Sequence, residues 1–299
     1  MADITAKMVK DLRECTGAGM MDCKKALSKA DGDMDAAIDI LRTKGLAALA
    51  KKAGRATNEG VIGGFVSDDG RTGVLVEVNC ETDFVARNAD FKAFVNDIAS
   101  HIAVSAPVDV QALLAQPYVA RTEVSVEQLL GETVGKLGEN MGIARFARYE
   151  LGSDVGAITI YIHGVGNIGV MVELTASTVD AASADAFASF GKDVAMQIAA
   201  TSPISIRREE VPAAIVEHEM EIYKAQAAES GKPEQIQEKI AVGRLEKYYK
   251  EVCLFEQPFV KDSDVTVKQY LESTAKALNA EFDIVRFERF VLGETASAE

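Results

Sequence analysis

The chain has 299 residues, 48% of them hydrophobic, and its 46 acidic against 32 basic side chains give a formal charge of −14. That length suggests roughly two domains, and the acidic excess makes nucleic acid, or an anionic membrane surface, a poor partner for the molecule as a whole. The cysteines Cys15, Cys23, Cys80 and Cys253 form no C-x-x-C pair and follow no secretory leader, no apolar run is long enough to span a bilayer, and His101, His163 and His218 lack metal-site spacing, so a cytosolic protein without a bound metal is expected.

Residues 1–55 read as a three-helix module and linker. Thr5 can cap a helix carrying Met8, Val9 and Leu12, and Thr16-Gly17-Ala18-Gly19 breaks it. Two further helices are predicted at 20–27 and 34–41, split by Asp31-Gly32-Asp33, and the Lys- and Ala-rich stretch 51–55 reads as linker. The short basic clusters, Lys24-Lys25, Lys51-Lys52 and Arg207-Arg208, are not interleaved with aromatics and read as solvated faces.

The rest of the chain contains a near-copy of itself. Residues 60–107 align without a gap on 156–203, at an offset of 96, with roughly a third of positions identical, including Gly73/Gly169, Glu77/Glu173 and Phe91/Phe187. Each copy predicts a strand, a glycine-bearing turn, a second strand and a helix. In the first, β-branched runs at 61–66 and 74–78 flank Asp68-Asp69-Gly70, and Phe91, Phe94, Val95, Ile98 and Ile102 recur at helical spacing. The match resumes at 124–150 against 265–291, offset 141, pairing Arg145-Phe146 with Arg286-Phe287 and adding a helix and a third strand to each half. The expectation is an α+β fold of two repeated antiparallel three-stranded halves, 56–150 and 151–206 with 251–292. The change of offset leaves about 45 residues inserted in the second half; two predicted helices with a thin apolar stripe, joined by Ser230-Gly231-Lys232-Pro233, form a projecting hairpin over 207–250. Residues 293–299 form a tail.

Little in the sequence points to covalent chemistry. Gly164-Val165-Gly166-Asn167-Ile168-Gly169 spells G-x-G-x-x-G, but it leads into a strand rather than a helix, and Gly166 and Gly169 pair with the hairpin glycines Gly70 and Gly73, so a dinucleotide loop, and the cofactor-dependent oxidoreductase it would imply, has poor support. No phosphate-cradling G-x-x-x-x-G-K-[ST] or nucleophile elbow occurs. No cofactor is expected.

The informative difference between the copies follows their second strands. Asn79-Cys80-Glu81-Thr82-Asp83-Phe84-Val85 stands in the first where Thr175-Ala176-Ser177-Thr178-Val179-Asp180-Ala181 stands in the second. An aromatic beside a carboxylate on a rigid tip is either a wedge into a partner or a cover for its own core, and the pattern supports both equally.

Taken together, 16–27 (Thr16-Gly17-Ala18-Gly19-Met20-Met21-Asp22-Cys23-Lys24-Lys25-Ala26-Leu27), the Glu77-Val78-Asn79-Cys80-Glu81-Thr82-Asp83-Phe84-Val85 run, Ser230-Gly231-Lys232-Pro233 and Gln257-Pro258-Phe259-Val260 resemble the hallmark stretches of bacterial translation elongation factor Ts over nearly the whole chain. The resemblance implies a guanine nucleotide exchange factor for the GTPase elongation factor Tu, with no nucleic-acid or membrane contact of its own. It implies that the N-terminal module is ubiquitin-associated-like and docks on the GTPase through Arg13, Met20, Met21 and Lys24. Asp83 and Phe84, flanked by Thr82 and Val85, would enter beside the nucleotide and disturb its Mg²⁺ and phosphate contacts; His163 and Val260 would touch another domain; and 207–250 would be a coiled-coil arm. A helical module that longer members carry after the last strand has no counterpart after Leu292. A protein-binding adaptor without exchange activity is the alternative.

Overall fold

The computed structural model describes residues 4–229 and 231–294; the first three residues, Ser230 of the hairpin turn and 295–299 of the expected tail lie outside the described residues. Helix α1 (Ala6–Thr16) starts where Thr5 Oγ1 accepts from Met8 N at 3.2 Å and stops at Gly17, whose φ of 65° lets its N–H return to Arg13 O. Helices α2 (Met20–Lys29) and α3 (Met34–Lys52) close a small core of Val9, Leu12, Cys23, Ala26, Leu27 and Ala37. The expected stop near Leu41 and the linker at 51 are corrected here: α3 runs on to Lys52. Its second half, Leu46-Ala47-Ala48-Leu49-Ala50, is built of strong helix formers, and Ala48 and Leu49 pack on the core of the first half.

The remaining elements are β1 (Glu59–Val66), β2 (Thr72–Cys80), α4 (Asp83–Ala86), α5 (Ala89–Ser105), α6 (Val110–Ala115), the two-stranded hairpin β3 (Pro117–Tyr118) and β4 (Arg121–Ser125), α7 (Val126–Leu137) and β5 (Met141–Glu150). Then come β6 (Gly156–His163), β7 (Ile168–Ala176), α8 (Val179–Ala182), α9 (Asp185–Thr201), α10 (Ala213–Ala228), α11 (Glu234–Val252), the hairpin β8 (Pro258–Phe259) and β9 (Asp262–Thr266), α12 (Val267–Ala277) and β10 (Phe282–Val291). The main sheets are antiparallel, in the orders β1-β2-β5 and β6-β7-β10. Small antiparallel sheets with segregated helices make this an α+β fold. Helices α10 and α11 pack on each other and bury few side chains, Ala227, Ala241 and Leu245. Arg208 fixes their base through a forked bond to Glu246, at 2.9 and 2.8 Å, and a second to Glu256.

Each central strand is buried on both faces, and the period of two sorts its side chains. Val74, Val76, Val78 and Cys80 of β2 face α5, while Leu75 and Glu77 face the second sheet; Val170, Val172 and Leu174 of β7 face α9, while Met171 and Glu173 face the first. The sheets therefore pack face to face, with Ile62, Leu75, Tyr149, Leu151, Ile158, Met171 and Phe290 between them. The approach is so close that a Cβ on Gly73 would lie 2.4 Å from Ile158 Cγ2, and one on Gly169 would lie 2.5 Å from Ile62 Cγ2.

Two buried carboxylates sit in this interface. Glu77, fully buried, accepts from Arg145 Nε at 2.8 Å and from the backbone N of Gly293 at 2.9 Å, while Arg145 donates to Val291 O and lies 4.1 Å over the Phe290 ring. Glu173 accepts from Arg286 Nε at 2.6 Å and from Gly152 N at 2.9 Å, while Arg286 donates to Glu150 O and lies 4.0 Å over Tyr149. Each carboxylate thus binds its own sheet's arginine, and each arginine binds the other half. A bulge aims each arginine, because the ladder registers skip Ala144 and Val285, one residue before Arg145 and Arg286.

Removing one side of a buried, hydrogen-bonded ion pair leaves the other charge without a partner. Arg145→Ala and Arg286→Ala, which strand the buried Glu77 and Glu173 carboxylates, should each lower unfolding free energy by about 3 kcal/mol, read as a drop in urea midpoint at unchanged slope; an effect of either variant below a third of that would place the docking energy elsewhere.

A second buried polar group carries a pH dependence. His101 Nδ1 accepts from Val119 N at 3.2 Å, so Nε2 bears the proton and meets Gln116 Oε1 at 3.1 Å, with Tyr118 across the ring. In the second half Gln197 Oε1 does the same for Val260 N at 2.7 Å. Burial pushes the His101 pKa below its ordinary value of 6.5. The unfolded chain then takes up a proton that the folded one refuses, so stability is full above pH 6.5 and is lost as pH falls below it. His101→Gln should flatten the decline in urea midpoint between about pH 6.5 and 5.

Candidate functional site

The tip after β2 is not a loose loop. Thr82 caps α4 by accepting Val85 N at 3.4 Å, and its carbonyl accepts Ala86 N at 3.1 Å. Thr82 N donates to Glu139 Oε2 at 3.0 Å and Thr82 Oγ1 donates to Glu139 Oε1 at 2.7 Å. Beneath it Cys80 Sγ donates to Thr82 O at 3.2 Å, its thiol pushed up to about 12 by burial first and then by the Glu139 charge. Alongside, Asn140 N donates to Glu81 Oε1 at 2.6 Å, which holds the Glu81 carboxyl below the usual carboxylate range, and Asn140 Nδ2 donates to Arg55 O.

On this base Phe84 is 82% exposed. That settles the two readings of the residue against a core cover, because its ring touches neither of the flanking cores; Val85 and Ala86 do that work. Asp83 stands half exposed, paired with Arg87 at 3.1 Å. In the second half α8 is capped in the same way, Thr178 Oγ1 accepting Ala181 N at 3.3 Å, but it presents Val179 and Asp180 instead.

The docking of the sheets brings the other singled-out residues to the same end of the molecule. Strand β1 begins at Glu59, opposite Cys80, and three residues on, about 10 Å along the strand, Ile62 N donates to Gly166 O at 2.8 Å. The β6–β7 turn carrying His163 therefore sits beside the end from which α4 projects. His163 is exposed, with Nδ1 2.8 Å from the Tyr161 hydroxyl, and Val165 next to it is 55% exposed. Helix α9 runs back along β7 toward this end, and its Gln197 holds the β8–β9 turn through Val260 N, leaving Val260 about half exposed.

The N-terminal module reaches the same region. The Lys136 side chain, near the end of α7, covers Gly17 and pairs with Asp90 in the first turn of α5 at 2.9 Å. The turn between Arg13 and Met20 is thus tied to the α4–α5 corner. Arg13, Met20, Met21 and Lys24 are all exposed, the two methionines without apolar cover. Among the described residues no hydrogen bond or ion pair joins the Met20, Phe84 and His163 groups directly, so they stand as separate projections.

Sequence reasoning did not single out Arg87, Glu139, Asn140 or Val165. Glu139 and Asn140 are separated by more than 50 residues from the tip they hold. The glycine pattern at 164–169 forms the turn and start of a hairpin packed on β1, with a Cβ on Gly166 only 2.6 Å from Val61 Cγ1, which is no phosphate cradle. Among the described residues no group of His, Cys, Asp and Glu could hold a metal ion, and no helix is long and apolar enough to cross a membrane.

Comparison with known proteins places the chain among relatives of one family. A family model described as "Elongation factor TS" matches residues 81–294. Proteins named "Elongation factor Ts" from Trichlorobacter lovleyi and Clostridium kluyveri are each 50% identical over 97% of this chain and 93% of their own length, and one from Clostridium novyi is 48% identical over the same shares.

The burial of the thiols offers a check on how closed the base of the tip is. Cys15 is exposed, whereas Cys23, Cys80 and Cys253 are buried with thiols raised by desolvation. A thiol reagent at pH 7.5 should label one cysteine rapidly and the other three only on unfolding; rapid modification of Cys80 in the native protein would mean that the tip opens.

Proposed function

The chain belongs to the elongation factor Ts family, and on that footing we propose how this molecule works as the guanine nucleotide exchange factor of elongation factor Tu. It acts through binding, in the cytosol, and performs no covalent step. The observation that carries the reading is the exposure of Phe84, 82%, on a helical turn whose backbone is held at every polar atom of Thr82. An aromatic that covers nothing of its own is free to bury itself in a partner.

Exchange requires coupling. A surface that binds nucleotide-free elongation factor Tu more tightly than the GDP form weakens GDP by the same factor. Phe84 and Asp83 enter beside the nucleotide, where a ring displaces packing and a carboxylate competes with the phosphates for Mg²⁺ and for donors that hold them. Met20 and Met21, with Arg13 and Lys24 around them, dock the N-terminal module, which we read as ubiquitin-associated-like, on the GTPase domain. His163 and Val260 engage a second domain of the same partner. We read the two halves as copies of one unit: β7 follows β2, and α9 follows α5, at an offset of 96, so the second half serves as scaffold where the first carries the wedge. Helices α10 and α11 form the family's coiled-coil arm.

The test is stimulated release of labelled GDP from elongation factor Tu. Phe84→Ala and Asp83→Ala should each slow it roughly thirty-fold, the equivalent of about 2 kcal/mol. Val179→Ala and Asp180→Ala, at the paired positions, should change it by less than about three-fold. Thermal melts should not move for Phe84→Ala, since the ring is outside the core. A normally folded Phe84→Ala protein that releases GDP at the wild-type rate overturns the wedge.

A further inference from the structure

The tip that carries Asp83 and Phe84 is a single helical turn of four residues. A turn this short has no stability of its own, because helix nucleation is unfavourable until several turns form. Its orientation must come from outside, and the two halves of the molecule show from where.

Both halves share one anchor beside the tip. Asn140 N donates to Glu81 Oε1 at 2.6 Å in the first, and Glu281 N donates to Ser177 Oγ at 2.9 Å in the second. These positions correspond, at offsets of 141 and 96. The Glu139 contact does not repeat. Its counterpart in the second half, 141 residues on, is Ala280, which has no group to reach Thr178. The half that bears an exposed aromatic thus has an additional carboxylate, and that carboxylate takes both the N–H and the hydroxyl of the residue preceding Asp83, at 3.0 and 2.7 Å.

We infer that Glu139 is a positioning residue for nucleotide exchange: its carboxylate fixes Thr82 and so pre-aims Asp83 and Phe84, without touching the partner's nucleotide site. The inference rests on the wedge reading of Phe84. Two features of the bond suit the role. A carboxylate accepting two donors from one residue fixes both position and rotation, which a single bond cannot. The hydroxyl of Thr82 gives its proton to Glu139 and still accepts Val85 N, so the strut and the helix cap share one oxygen. Losing the strut leaves the cap intact but lets the whole turn swing, and the binding step must then order it.

The experiment is a double-mutant cycle on GDP release from elongation factor Tu, with saturation curves and melts for each protein. Glu139→Ala should lower the maximal stimulated rate about ten-fold, and Glu139→Gln, which keeps one acceptor oxygen, should recover part of it. Glu139→Ala should have no further effect in the Asp83→Ala/Phe84→Ala background, because a strut with nothing to aim has no function. Loss of stability alone would act equally in both backgrounds. If Phe84→Ala is slow while Glu139→Ala matches wild type, or if Glu139→Ala slows release by the same factor in the Asp83→Ala/Phe84→Ala background as in the wild type, the positioning role is overturned and the wedge stands. If Phe84→Ala itself releases GDP normally, the wedge fails and this inference fails with it.

Discussion

The placement of every projecting group depends on how two sheets are held together, and their alignment is fixed by a reciprocal pair of ion pairs built on two buried carboxylates. Glu77 with Arg145 and Glu173 with Arg286 each lie in one sheet, but the arginines donate to Val291 O and Glu150 O of the opposite half and cover Phe290 and Tyr149. Apolar contact alone would let two flat faces slide. A buried carboxylate that must satisfy both an arginine and a backbone N–H from across the interface permits one alignment. The absence of side chains at Gly73 and Gly169 lets the backbones come near enough for those bonds to form.

That alignment sets the sheets head to tail, and the difference between the two ends of the molecule follows. The β1–β2 turn docks on β6 through Ile158 N and Gly70 O, while the β6–β7 turn docks on β1 through Ile62 N and Gly166 O. The end of the first half that bears α4 therefore neighbours the turn end of the second. One end of the molecule presents Phe84 from one half with His163 and Val260 from the other; the opposite end presents the counterparts of Phe84 and Val260, Asp180 and Val119. Two similar halves thereby make a surface that is different at its two ends.

The N-terminal module is attached by the same logic of close approach. Its third helix crosses α7 at Gly45 and Gly131, where a Cβ on either would lie about 3 Å from the other's backbone. Lys136 on that helix bridges Gly17 to Asp90. The first helix turn and the α4 tip are thus referred to one helix, α7, whose C-terminal Gly138 hands the chain to Glu139 directly.

Much of this was written in local sequence. The period of two in β2 and β7, the helical spacing of the phenylalanines in α5 and α9, the cap at Thr5, and the internal register at offsets of 96 and 141 are consequences of backbone geometry and short-range bonding, so composition and spacing reveal them. The exposed group Asp83-Phe84 could be found because the second half lacks it. The sequence left Phe84 undecided between cover and wedge, placed the end of α3 about eleven residues early, and showed only one packed face for each sheet. Those points turn on what lies across space. An aromatic is exposed or buried according to neighbours far along the chain, a helix continues where another helix receives it, and Glu77, Glu139 and Arg145 acquire their partners only when strands more than 50 residues apart are brought together. Local propensity determined the elements and their order; long-range packing and the satisfaction of buried charge decided which of their residues face a partner.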